Sequence, residues 1–568
     1  MMEVLHNHLG FGRLQPKRLL VRCTQLPPGR NCALRGLHSQ ALAWRGRLVA
    51  KGAVDGWGGG AYWEADFSAL TVNGTYQLLV DGQPVPGARL IDIRDQVLDH
   101  GVLSDLVHYF KSQRCTGVFD AADRSCPEIG SAARHDVHGG WYDASGDASK
   151  YLSHLSYANF LNPQQTPLLA WALLDGAARL HEPSFWLAER CLDEALHGAD
   201  FLVRMQDPAG FFRTTVFDQW SKQVERRQIC SYQTQAGHLY SRFCAGWRQG
   251  GGMAIAALAR ASGAARDGEF TRTRYGEAAA RGFAHLLVHN DQYLDDGQQN
   301  LIDDACALLA ACELFQATGN RNYAHDASMR VHRIAAKQHE QGWFWIDAAC
   351  TRSFYHASDA GLPLVALRRF VALAGTGESA DLARQTAASY LAWELRATHG
   401  GAPNPFGYPR QMVTPANGSP SLAFFMPHDN ESGYWWQGEN ARLASLVCSA
   451  LDWTDQAPPE LSQRLLAHAG NMLDWIFGRN PFDTCMMQGR GHRNPAYEQG
   501  CWNAPGGVCN GITSGLEDER GIDFRLPKDT TPAHSWRWTE QWLPHGAWLF
   551  GAVARMLAWQ HTTPSAMS

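Results

Sequence analysis

LIDDACALLAACELFQATG, residues 301–319, has the leucine- and alanine-rich texture and the apolar period of an α-helix. It stops at Gly319, the residue type that most readily takes the left-handed turn closing a helix. The same texture returns in TPLLAWALLDGAARL (166–180), FWLAERCLDEALHGADFLVRM (185–205), GGMAIAALARASGAA (251–265), DLARQTAASYLAWEL (381–395) and LSQRLLAHAGNMLDWIFG (461–478). Gly263, Gly319 and Gly375 follow one another at steps of 56 residues, a length that suits a helix hairpin with its loops. The chain from about residue 100 to 560 therefore has room for about ten to twelve helices, or six hairpins. Such hairpins can close into a double ring or stack into an open solenoid. Glycine- and proline-rich interruptions at 402–421 and 480–535 favour the ring, because a solenoid gives no reason to gather aromatics and acids in them.

Upstream of the helices the texture changes. KRLLVRC (17–23), ALAWRGRLVAKG (41–52), AYWEADFSAL (61–70), GTYQLLVDG (74–82) and ARLIDIRD (88–95) are short β-prone runs separated by Gly, Asn, Pro and Asp. Their spacing predicts a small β-sandwich over residues 1–95, leaving 96–568 to the helices. A length of 568 residues agrees with two such parts. With 45% apolar and 18% charged residues the chain is not a disordered polyampholyte. A formal charge of −5 gives no reason to expect nucleic acid or an anionic membrane as partner. No run of about 18 apolar residues suits a membrane span. The start, MMEVLHNHLGFGRLQPKRLLVRC, lacks the basic and apolar pattern of an export signal, so a cytoplasmic protein is expected. The 14 cysteines contain no Cys-x-x-Cys pair and read as reduced thiols in packed helices. The 21 tryptophans suit either flat stacking surfaces or core packing.

Two segments carry the chemistry. HGGWYDASGD, 138–147, sets Asp143 and Asp147 four apart behind two glycines and two aromatics. A helix is expected to begin at DASKYLSHLS (147–156), its dipole keeping both acids ionised, so that together they hold and deprotonate a water. The other reading is that Asp147 or Ser145 only caps that helix. WRWTEQWLPHGAW, 536–548, crowds Glu540 with Trp536, Trp538 and Trp542, a desolvated setting that raises a carboxyl pKa and keeps it protonated. The alternative is a surface glutamate in a salt bridge. An ionised aspartate pair with a protonated glutamate is the division of labour that glycoside hydrolysis uses.

HGGWYDASGD closely resembles the GGWYDAGD motif of glycoside hydrolase family 9, inverting β-glycosidases that include many cellulases. ADFSALTVNGTYQLLV (65–80) looks like the closing strands of the immunoglobulin-like module that often precedes the family's catalytic domain. YFKSQRCTG (109–117), WRQGGGMAIAALARAS (247–262) and FGRNPFDTCM (477–486) are similar to stretches inside that domain. The resemblance implies a mainly α fold, an (α/α)6 six-hairpin barrel preceded by the β-sandwich. It implies Asp147 as general base, Asp143 as its partner in holding the water, and Glu540 as general acid. It further implies sugar binding by Trp141, Tyr142, Trp538 and the pair His492–Arg493, which are adjacent here where the family has His-x-Arg. Ser145 is inserted between the paired aspartates, which leaves open which of them is the base. Glu439, in HDNESGYWWQGENARLASL (428–446), is a second candidate for the acid and for substrate binding. Some family members hold a structural zinc, and Cys115, Cys126, His135 and His138 could imitate that set, with calcium as another option. No cofactor is required for the reaction.

For the substrate, an oligosaccharide, the DASGD insertion together with WWQGENARL and NPFDTCM resembles a bacterial branch that includes exo-β-D-glucosaminidases. Glu439 or Asp429 could then face the 2-amino group. The alternatives are a cellulase-type endo-β-1,4-glucanase or cellodextrinase, and, outside enzymes, an inactive carbohydrate-binding protein. An isoprenoid cyclase on the same barrel would want DDxxD-like acids, and Asp303–Asp304 is only a lone pair.

Overall fold

The computed structural model describes residues 2–24, 30–154, 159–180, 185–233, 237–430 and 438–562. Its first part is β1 (Met2–Leu5), β2 (Phe11–Gly12), β3 (Arg18–Cys23), β4 (Asn31–Gly36), β5 (Leu42–Arg47), β6 (Val49–Gly52), β7 (Ala61–Asp66), β8 (Gly74–Val80), β9 (Gln83–Pro84) and β10 (Ile91–Arg94). They form two sheets, in the orders β1-β3-β7-β6 and β2-β10-β8-β4-β5, with β9 against β8. Side chains alternate across a strand, and this decides which core each residue joins. Leu19, Val21 and Cys23 of β3 and Trp63 and Ala65 of β7 point between the sheets, where Leu34, Leu78 and Ile93 meet them. Leu20 and Tyr62, on the opposite faces of the same strands, join the core of the helical part. The first sheet is thus covered on both sides.

The helices are α1 (His100–Ser112), α2 (Gly117–Asp123), α3 (Thr166–Ala177), α4 (Phe185–Met205), α5 (Gly252–Ala261), α6 (Arg272–Tyr293), α7 (Leu301–Thr318), α8 (Arg321–Ala335), α9 (Leu362–Ala374), α10 (Glu378–His399), α11 (Asn440–Asp452), α12 (Pro459–Ile476), α13 (Pro532–Thr539) and α14 (Leu543–Thr562). A boundary after residue 95 falls in the connection between β10 and α1. Helices α3, α5, α7, α9, α11 and α14 touch in that order, and α14 returns to α3, so six helices close an inner ring. Outside it, α4, α6, α8, α10 and α12 each pack on the inner helix that precedes them, and α1 packs on α14. This is the (α/α)6 barrel, preceded by a β-sandwich.

The inner helices differ from the amphipathic pattern expected of them. Every residue of α7 from Leu301 to Glu313 is buried, because a helix enclosed by neighbours has no water-facing side. Gly319 and Gly375 close α7 and α9 with left-handed φ of 68° and 66°. Gly263 plays no such part, since Ser262 caps α5 in an ordinary helical conformation. The step of 56 residues is nevertheless one hairpin around the ring, because the three glycines follow α5, α7 and α9 in turn. Among the described residues no helix is long and apolar enough to cross a membrane.

Candidate active site

At the end of the ring where the inner helices begin lies a cleft of about 420 Å3. Leu161 and Pro163 precede α3, His356 and Ala357 precede α9, and Glu540 and Trp542 precede α14; all line it. Asp143, Gly146 and Asp147 line it too, with His154, Trp220, Tyr497, Asn510 and Trp536. Its size suits a small ligand, and its walls mix indole faces with acids and imidazoles.

The helix expected to start at Asp147 does not form. Lys150 and Tyr151 instead pair as a strand with Thr215 and Val216. The alternation of that strand sends Lys150 down to Asp123 (2.6 Å) and Tyr151 up to Asp147, whose Oδ2 accepts from its hydroxyl at 2.8 Å. The dipole expected from a helix starting at Asp147 is therefore absent. Asp147 Oδ1 accepts from the Ser149 amide at 2.8 Å. Asp143 Oδ1 accepts from the Trp542 indole at 3.0 Å and from the Gln165 side chain, and its Oδ2 lies 3.6 Å from His154 Nε2.

Burial decides the protonation of these groups. It drives the Asp143 carboxyl well above the usual carboxylate range, and the neighbouring Asp147 and Glu540 push the same way. Asp147 is raised as well, again by burial, but the Ser149 amide and the Tyr151 hydroxyl hold part of the shift back. Glu540 is pushed up to about 8 by burial and by Asp147. His154 and His356 are pushed down to about 3 by burial and are neutral.

Gly146 seats Glu540: its amide donates to Oε1 at 3.1 Å, and a Cβ there would stand 2.4 Å from that oxygen. The inserted Ser145 ties the two acidic loops together. Its hydroxyl accepts from the Gln541 amide and donates to Asn503, both at 3.0 Å, and Ala144 bridges Trp542. Trp220 is held by a turn in which Gln219, Trp220 and Lys222 all have left-handed φ (58°, 55° and 54°). Backbone strain of that kind gathers at ligand sites.

Other expected site residues lie elsewhere. Trp141 is fully buried and donates to Glu194 at 2.8 Å, and Trp538 is fully buried and donates to Thr513 at 2.9 Å; both are core side chains. Tyr142 binds the Thr116 carbonyl at 3.2 Å and does not line the cleft. Glu439 is bound by Arg442 (2.7 Å) and Tyr408 (3.1 Å) in the core, so neither acid catalysis nor substrate binding is open to it. His492 and Arg493 stand at the junction of sandwich and barrel, against Asp483 (3.7 and 3.2 Å). Trp435 and Trp436 lie outside the described residues. The cyclase reading also fails, since Asp303 is bound by Arg248 (3.1 Å) and Asp304 by Arg330 and Lys337 (both 2.7 Å).

The zinc set does not assemble. His135 turns to Glu128 (3.0 Å) and His138 to Asp136 (2.6 Å). Cys115 lies 3.8 Å from Arg227, which with Lys150 grips the buried Asp123. Two buried cations at that point repel a third. Among the described residues the histidines, cysteines and acids that do converge as possible metal ligands are His8, Asp483 and His492, away from this place; imidazole donors do not suit calcium.

Missed by sequence reading were Trp220, His356, His154, Tyr497 and Asn510. Nδ1 of His356 accepts from the Ser358 and Asp359 amides (3.0 and 2.8 Å), so its proton is on Nε2, which has no partner among the described residues. No local pattern in SFYHASDAG announces that arrangement.

Solved structures resemble the chain along nearly all its length. A structure described as Bacteroides ovatus GH9 has a TM-score of 0.67 at 17% identity, covering 98% of this chain and 99% of its own. A metagenome-derived glycoside hydrolase family 9 endoglucanase has 0.66 at 20%, with the same coverage. AaCel9A in complex with a cellobiose-like isofagomine has 0.61 at 18%, again covering 98% and 99%. At such identities the likeness speaks for the fold. No curated protein matches the chain. The family model of glycosyl hydrolase family 9 matches residues 100–502, which take in the paired aspartates and most of the helix ring. With that match over more than two-thirds of its length, the chain belongs to glycosyl hydrolase family 9, enzymes that cleave O-glycosyl bonds with inversion.

Proposed function

We propose that the chain is a cellulase-type β-1,4-glucan hydrolase in which Glu540 is the general acid, Asp147 the general base and Asp143 the second holder of the water. The observation that carries this reading is a single cleft containing a glutamic acid protonated up to about pH 8 and, beyond Gly146, two aspartates each held by its own hydrogen-bond donors. An inverting site needs an acid on one side of the sugar and a base on the other, with room for water between them. Glu540 gives its proton to the leaving glycosidic oxygen. The water attacks the anomeric carbon from the opposite face and gives its proton to Asp147, whose anion is favoured over that of Asp143 by the Ser149 amide and the Tyr151 hydroxyl. Trp220, Trp536 and Trp542 offer apolar faces to pyranose rings, and His356 Nε2 offers a donor to a sugar hydroxyl.

Glucan is preferred over glucosamine polymers because the acids that an amine reading needs are engaged. Glu439 is paired with Arg442, and Asp429 accepts from Asn417 (3.2 Å). The endoglucanases among the similar structures favour the same choice. The test is kcat/KM on the β-1,4 tetramers of glucose, glucosamine and N-acetylglucosamine at one pH. The glucose tetramer is expected to be the best substrate. Faster cleavage of the glucosamine tetramer, falling as its amines lose their protons, would overturn the choice.

A further inference from the structure

We infer that His8, Asp483 and His492 form a binding site for one borderline divalent cation of the zinc type, which pins the β-sandwich to the barrel. His8 follows β1, and its backbone amide donates to the Phe477 carbonyl at 2.9 Å, so the sandwich reaches into the barrel here. Its imidazole is fully buried. The socket is made of glycine: a Cβ on Gly478 would lie 2.4 Å from His8 Nε2, and one on Gly491 would lie 2.7 Å from His8 Cβ. Both glycines have left-handed φ, 120° and 60°, and so do Asp483 and Arg493, at 49° and 57°. The glycines take that conformation freely, whereas Asp483 and Arg493 hold it as non-glycine residues, the kind of local strain that gathers at ligand sites.

The donor atoms have the right kind and spacing. His8 Nε2 is 2.9 Å and His492 Nε2 3.7 Å from Asp483 Oδ1, and the three offer ligand atoms within 4.8 Å of one another. Zinc bonds nitrogen and oxygen at about 2.0–2.2 Å, which sets neighbouring tetrahedral ligands about 3.3 Å apart. The two distances to Asp483 straddle that value. Among the described residues, His492 Nε2 and His8 Nδ1 are buried without a hydrogen-bond partner. A cation would engage the first and fix the tautomer of the second ring. The Arg493 guanidinium holds the far oxygen of Asp483 at 3.2 Å, as outer partners orient carboxylate ligands. Two imidazoles and a carboxylate suit zinc, nickel or cobalt better than calcium. The competing account is a metal-free stack, the rings being 3.3 Å apart and near parallel.

The test is zinc chloride titrated into the chelator-stripped full chain, with bound metal measured per chain and melting temperature followed. The wild type and Cys115→Ala should bind about one zinc each and melt higher with it. His492→Gln and Asp483→Asn, each checked for folding by circular dichroism, should lose at least about 10–100-fold in affinity, the cost of disturbing even an outer partner of a zinc ligand. No binding by the wild type, unchanged binding by both variants, or loss of binding in Cys115→Ala would overturn the site. The inference does not depend on the substrate of the cleft.

Discussion

Glu540 carries the sharpest expectation at the scale of single residues. Its carboxyl is the working acid only while protonated, and burial beside Asp147 extends that state up to about pH 8. The sign follows: kcat/KM on a cello-oligosaccharide should hold near neutrality and fall as pH rises through about 8. Glu540→Gln should lose about 10²–10⁴-fold, the usual contribution of general acid catalysis, and should lose the alkaline limb with it. A glycosyl fluoride, whose leaving group needs no proton, should be spared most of that loss. An unchanged alkaline limb in the variant would assign the pKa to another group. The three acids were legible because motif spacing and aromatic crowding are local properties. The sugar-facing side chains were not. Trp141 and Trp538 look identical in sequence to Trp220 and Trp536, and only packing separates core indoles from cleft indoles.

At the scale of elements, the loop from Asp143 to Asp147 and the segment from Glu540 to Trp542 form one unit. Ser145 joins them through Gln541 and Asn503, and Gly146 leaves space for the Glu540 carboxyl. Gly146→Ala should displace that carboxyl and lower kcat/KM by about 10²-fold, the scale of a 1 Å misplacement, while the melting temperature changes little. Wild-type activity in this variant would show that Glu540 does not work from this seat. The strand at Lys150–Tyr151 shows why sequence misled here. DASKYLSHLS has helical texture, yet a partner strand at Thr215–Val216 and a buried Asp123 beneath Lys150 make the extended form better satisfied. Burial alone would raise the Asp123 carboxyl, but Lys150 and Arg227 hold it below its ordinary range. Long-range pairing of this kind leaves no local trace in a sequence.

At the scale of the molecule, the closed ring was readable from repeat length and helix count, but its docking to the sandwich was not. Trp57 enters a cage of Phe406, Tyr408, Phe424, Phe425 and Trp475, and Leu5, Leu20 and Tyr62 belong to the same core as the barrel. One sheet of the sandwich therefore serves two cores, which short alternating runs cannot reveal. The ring in turn gathers its inner-helix starts at one end, and that convergence brings acids from positions 143, 147 and 540 to one cleft. The claim that they act from opposite faces of the sugar has a direct readout, proton NMR of the products of a β-1,4 glucan tetramer within the first turnovers. The account predicts that the newly formed reducing end appears first as the α anomer and only later mutarotates; a new end that appears first as β would contradict it.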